Sequence, residues 1–223
     1  VEERRDMNTF MKIINKIFKK NPGRNKWMLK AAQNGDVLLI GCDRFTTNLT
    51  SKLLHEGIIK FTGGKWSHSG IIKIIRGETN VIEATSDGVI TTPLWRYMTS
   101  NGISYNMKIK RVQEEHISQA KKAACNAKKH KGKKYDYVAV INLAGYILYT
   151  KQKRKGLSLP NAEDIFGRNT PDLFICSELV HAAYREAGIC LCDFVEDPDE
   201  QEALVTPRDL DESKYLHDVR KPK

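Results

Sequence analysis

Apolar positions along the chain follow two periods, and the changes between them mark out its elements. In residues 7–20, Met7, Phe10, Met11, Ile14, Ile17 and Phe18 fall at helical spacing with lysines on the opposite face, and Asn21-Pro22-Gly23 ends the run. A basic amphipathic segment is therefore expected over residues 1–30. It could pack on the body with its lysines solvated, or lie on an anionic membrane. Gly35-Asp36 then opens Val37-Leu38-Leu39-Ile40, a short buried-strand pattern bounded by Gly41, and Thr50 to Lys60 carries a weak helical pattern. The next runs are β-branched: Ile71 to Ile75, Val81 to Ala84, Val89 to Thr92, and Ser104 to Val112. Turn chemistry at residues 76–80 and at Asp87-Gly88 separates them, which predicts a small antiparallel meander.

From Glu114 the period becomes helical, through Ile117, Ala120, Ala124 and Ala127, and Lys121 to Lys134 is densely basic. Tyr135 to Tyr149 reads as an apolar helix buried on most sides. Lys151 to Thr170, punctuated by Gly156, Pro160 and Gly167, reads as a long loop, of the kind that is usually functional or mobile. Phe174 to Ala187 is a predicted helix stopped by Gly188, and an acidic tail follows Cys190. Grouped strands followed by helices give an α+β domain over residues 31–223.

Composition changes this picture mainly through charge. With 223 residues, 40% hydrophobic and 29% charged, the chain is long enough for a core that needs no disulfide or structural metal. Its net charge of +10 favours polyanions: nucleic acid, anionic lipid or teichoic-type polymer. The Lys121 to Lys134 run lacks interleaved aromatics for base stacking, so no specific nucleic acid is expected. The five cysteines (Cys42, Cys125, Cys176, Cys190 and Cys192) form no paired CxxC arrangement, so neither a zinc site nor a cofactor is expected. Cys190 and Cys192 stand too close for an ordinary disulfide framework. No apolar run reaches membrane-spanning length, and Lys12, Lys16, Lys19 and Lys20 interrupt the only stretch resembling a signal-peptide core. A start at Val1 leaves room for a leader removed upstream, compatible with an envelope or secreted location.

Three residues carry candidate chemistry. Cys176 opens a predicted helix whose apolar stripe is Leu179, Val180, Ala183 and Ala187. Unpaired N–H groups and the helix dipole favour thiolate there, and the same amides can hold an oxyanion; a buried structural Cys is the plain alternative. His68 stands at the mouth of a strand after Gly63-Gly64, where an imidazole can face a cleft. Glu83 lies near the end of the returning strand, at the same edge as His68, and could fix its tautomer. Only half of the possible hairpin registers put the two side chains on one face, and otherwise Glu83 is an ordinary strand glutamate.

Gly35-Asp36-Val37, Trp66-Ser67-His68-Ser69-Gly70-Ile71, Glu83, Tyr135-Asp136, Phe174-Ile175-Cys176-Ser177-Glu178-Leu179-Val180 and Thr206-Pro207-Arg208-Asp209-Leu210 follow one another in order. The set resembles the YiiX/YebB-like proteins, circularly permuted members of the NlpC-type, papain-like cysteine hydrolase superfamily. The resemblance spans residues 33–212 and implies that the His-bearing sheet precedes the Cys-bearing helix. It also implies a Cys176–His68–Glu83 triad. Tyr135 matches a tyrosine near the active site, to be set against a core-packing aromatic, and Ser177 is either a substrate contact or, with Glu178, a helix-start residue. The leading expectation is a thiol hydrolase of amide bonds such as those of cell-wall peptides. Lipid acyl hydrolysis or transfer by the same triad, and a non-enzymatic basic binding module, stand beside it.

Overall fold

The computed structural model describes residues 25–41, 59, 62–99, 106–136, 173–192 and 205–222. The segments read as helix over 7–20 and as loop over 151–170, most of those over 50–60 and 135–149, and Cys42 lie outside them. In chain order the elements are α1 (Met28–Ala31), β1 (Val37–Gly41), β2 (His68–Ile75), β3 (Glu78–Thr85), β4 (Gly88–Pro93) and α2 (Arg96–Thr99). There follow β5 (Asn106–Val112), a 3-10 turn (Glu114–His116), α3 (Ile117–Lys129), β6 (Lys134–Tyr135), β7 (Leu173–Phe174), α4 (Cys176–Arg185), α5 (Pro207–Glu212) and β8 (Leu216–Asp218).

β2 and β3 pair down to Ile75 opposite Glu78, leaving Arg76-Gly77 as a two-residue turn with φ of +50° and +78°. Residues 78–80, predicted as turn, therefore belong to β3. The predicted meander accounts for only part of the sheet. Its order is β4-β3-β2-β1-β5-β8, with β1 between β2 and β5 and β8 on the edge, every pair antiparallel.

Both faces of the sheet are covered, which is why β1 reads as an unbroken apolar run rather than an alternating one. On one face Leu39, Ile71 and Ile82 pack with Ala123 and Ala127 of α3 and Leu179 and Val180 of α4. On the other, Leu38, Ile72 and Val81 pack with Met28 of α1, Leu94 and Met98. The alanines of α3 let backbones approach closely. Gly35, at φ +94°, sits so near Ala120 that a Cβ there would lie 2.4 Å from its carbonyl oxygen. Asp36 next to it is clamped by Arg111 of β5 through two hydrogen bonds of 2.7 Å.

Two helix starts differ from expectation. Tyr135, predicted to open an apolar helix, lies in β6, which pairs in parallel with β7. The helix predicted from Phe174 starts at Cys176, because Leu173 and Phe174 are taken up by that pairing. Among the described residues no helix is long and apolar enough to cross a membrane.

Candidate active site

Cys176 is the first residue of α4 and is 4% exposed. The chain reaches it through β7, and the Glu178 side chain, 2% exposed, accepts from the Ile175 N–H at 3.1 Å, closing the first turn of α4. His68 is the first residue of β2, with its side chain 15% exposed.

Register decides where Glu83 points. Ile71 stands opposite Ile82, so one step further Gly70 faces Glu83, and His68, two residues along, shares Glu83's face of the sheet. Gly70 keeps the space between them open. A Cβ there would lie 2.5 Å from Val81 Cγ1 and 3.2 Å from Glu83 Cβ. Across this gap His68 Nε2 meets Glu83 Oε2 at 2.5 Å. With Nε2 committed to the carboxylate, Nδ1 is left for the sulfur of Cys176, to which the imidazole is hydrogen-bonded.

The three groups polarise one another. Burial alone would lower the pKa of His68, but the charge of the Cys176 thiolate, its hydrogen bond, and Glu83 outweigh burial and push it up to about 10. Burial would raise that of the Cys176 thiol; the imidazolium outweighs it, with help from Ser69, and holds the thiol below its ordinary range. Burial likewise disfavours the Glu83 carboxylate, and hydrogen bonding and charge from His68, with Thr92 and Tyr97 in support, bring it below the usual carboxylate range. The site is therefore arranged as a thiolate–imidazolium pair with a carboxylate behind it.

Ser177, expected as either a substrate contact or a helix-start residue, is fully buried, and its hydroxyl donates to the Val205 carbonyl at 2.6 Å. That ties α4 to the segment leading into α5. Tyr135 packs against the core beside α4, brought within two residues of Cys176 by the pairing of Tyr135 with Phe174. His181 of α4 is buried with neither ring nitrogen bonded; burial, then Arg185, lowers its pKa to about 4, so it is neutral near pH 7. Cys125 and Cys190 are not in disulfides.

Three residues of the site had no sequence reading of their own. Ser69, opposite Leu39 on the face that α4 covers, is buried and helps hold the Cys176 thiol below its ordinary range. Thr92 and Tyr97 reach Glu83 from β4 and α2. Ser69 stood in the motif without an assigned role, and nothing local in Thr92 or Tyr97 marks them, since strand pairing and a four-residue helix bring them in.

A family described as permuted papain-like amidase enzymes, YaeF/YiiX, C92 family, matches residues 31–143, about half of the chain. The match includes His68, Glu83 and Tyr135 and stops before Cys176. Among solved structures, the metalloprotein yiiX from Escherichia coli O157:H7 is similar over 86% of this chain and 98% of its own, at 21% identity and a TM-score of 0.56. That likeness shows the fold. No curated protein matches the chain. With the His-bearing sheet ahead of the Cys-bearing helix, this chain belongs to the permuted papain-like amidases of the YaeF/YiiX, C92 family, an enzyme of the cysteine hydrolase class.

Proposed function

We propose that the chain hydrolyses a peptide amide through a thioacyl-enzyme, with Cys176 as nucleophile, His68 as acid and base, and Glu83 orienting His68. The observation that carries this reading is the buried hydrogen-bonded line Cys176–His68–Glu83, which favours the charged forms of all three groups.

The Cys176 thiolate attacks the carbonyl carbon, and the carbonyl electron pair moves onto oxygen, to which N–H groups at the start of α4 can donate hydrogen bonds. As the C–N bond breaks, imidazolium Nδ1–H donates its proton to the departing amine. A water then attacks the thioester while His68 takes its proton. The C–S bond breaks, the acid leaves, and the thiolate returns beside a protonated His68. Glu83 stays ionised throughout, keeping the Nε2 proton in place. Tyr135, packed on the core two residues from Cys176 in the β6–β7 register, is proposed to lend its hydroxyl to substrate or oxyanion.

Peptides of cell-wall type are the proposed substrate class, since a net charge of +10 suits work beside polyanionic polymer. The similar structure is described as a metalloprotein; among the described residues of this chain no group of three or more His, Cys, Asp or Glu side chains is placed to hold a metal ion, and no step uses one.

Intact-mass measurement during incubation with muropeptides, and separately with anionic phospholipid vesicles, tests both bond and nucleophile. The expected result is a peptide acyl adduct on Cys176 with release of a free amine, absent in Cys176→Ala. An adduct formed only with phospholipid moves the substrate to lipid esters. Amine release by Cys176→Ala defeats the assignment of the nucleophile.

A further inference from the structure

Glu83 is 1% exposed, and its carboxylate collects hydrogen bonds from three elements. His68 of β2 and the Tyr97 hydroxyl of α2 both reach Oε2, and Thr92 of β4 adds its own hydroxyl. The sheet explains Thr92: it stands opposite Val81, on the same face of the sheet as Glu83. The turn after β4 explains Tyr97. Leu94 is fully buried and its N–H donates to the Thr79 carbonyl at 2.9 Å. Trp95 Nε1 donates to Glu78 at 3.2 Å, and the Tyr97 N–H returns to the Leu94 carbonyl at 3.2 Å. Residues 92–97 thus form a pinned strap that holds a phenol over β3.

A buried carboxylate tends to take up a proton, and once protonated it no longer favours a charged imidazole. Two further O–H donors oppose that uptake. They also fix the carboxylate plane, so that Oε2 meets His68 Nε2 rather than rotating away. We infer that Tyr97 and Thr92 are positioning residues that set the acidic limit of the Cys176–His68 pair by holding Glu83 ionised and in one orientation. The inference rests on the catalytic pair proposed above.

The other charged groups near this face are engaged elsewhere, Arg111 with Asp36 through two hydrogen bonds of 2.7 Å. Arg96 is turned over the Trp95 ring at 5.9 Å, and Glu78 is engaged by Trp95. β4 has no titratable side chain. α3, the body of α4 and Tyr135 of β6 pack with the opposite face, and Cys176 acts on Glu83 through His68.

The test follows the rate of Cys176 alkylation by iodoacetamide from pH 3 to 10 in the full chain, in Tyr97→Phe, Thr92→Val and the double variant. Each single variant is expected to move the acid limb about 1–2 pH units upward, the worth of one hydrogen bond to a charged group, and the double variant further. A purely structural role lowers the plateau or the melting temperature without moving the limb, and that result overturns the inference. Should Tyr97→Phe fold poorly, Thr92→Val on a separate element carries the same expectation. If the unsubstituted protein shows no alkylation of Cys176 below the ordinary thiol range, the catalytic pair falls, and the clamp with it. If it does, and the variants titrate as it does, the clamp alone falls.

Discussion

Cys176 and His68 were legible residue by residue, because the features that mark them are local. A Cys at a helix start and a His at a strand mouth are set by near neighbours in sequence. Glu83 is legible only through the ordered set of motifs, since its side chain faces His68 only in one class of register and nothing within either strand fixes that choice. Tyr97 was less legible still, because it reaches Glu83 through a strap folded over another strand. Glu83→Gln keeps the shape of the site and removes the charge. Alkylation of Cys176 near pH 5 is expected to fall about tenfold or more, one pKa unit corresponding to a factor of ten. Rates unchanged from the unsubstituted protein would show that the Glu83 charge does not support the pair.

At the scale of elements, local turn chemistry foretold the β2–β3 and β3–β4 hairpins. The placement of β1 between β2 and β5, and of β8 on the edge, joins segments far apart in sequence and leaves no local periodic trace. Tyr135 departs from its sequence pattern for the same reason. An apolar run starting at an aromatic resembles a helix start, and only the partner strand at Phe174 makes it β6. The β2–β3 pair depends on Gly70 for close approach rather than for an unusual φ. Gly70→Ala must push Val81 aside, at a cost of about 1–3 kcal/mol by overpacking. Urea unfolding should show that loss together with reduced low-pH alkylation, because the same methyl separates Glu83 from His68. Loss of stability with alkylation intact would mean that the register tolerates the strain without moving the carboxylate.

For the whole molecule, a permuted papain-like sheet and helix pair bring charge into a buried place, and this leaves a signature in stability against pH. The His68 pKa rises from 6.5 to about 10, so its contribution is complete below 6.5 and lost as pH climbs towards 10. The Cys176 pKa falls below its ordinary 9.0, so its contribution is complete above 9.0 and lost as pH drops through its folded value. Between 6.5 and 9.0 the two slopes oppose, since folded and unfolded chains each hold one proton on the pair. Unfolding free energy, taken as the difference from Cys176→Ala/His68→Ala, should therefore be level across that interval and decline on both sides. A slope through it would show that the pair does not share a proton. The central claim is the ionised Cys176 itself, and thiolate absorbance near 240 nm, titrated in the unsubstituted protein, Cys176→Ala and His68→Ala, reads it most directly. The expected result is a Cys176-dependent absorbance present well below pH 7 that moves to the ordinary thiol range in His68→Ala. The contrary result is a Cys176 signal that appears only in the ordinary thiol range, with or without His68.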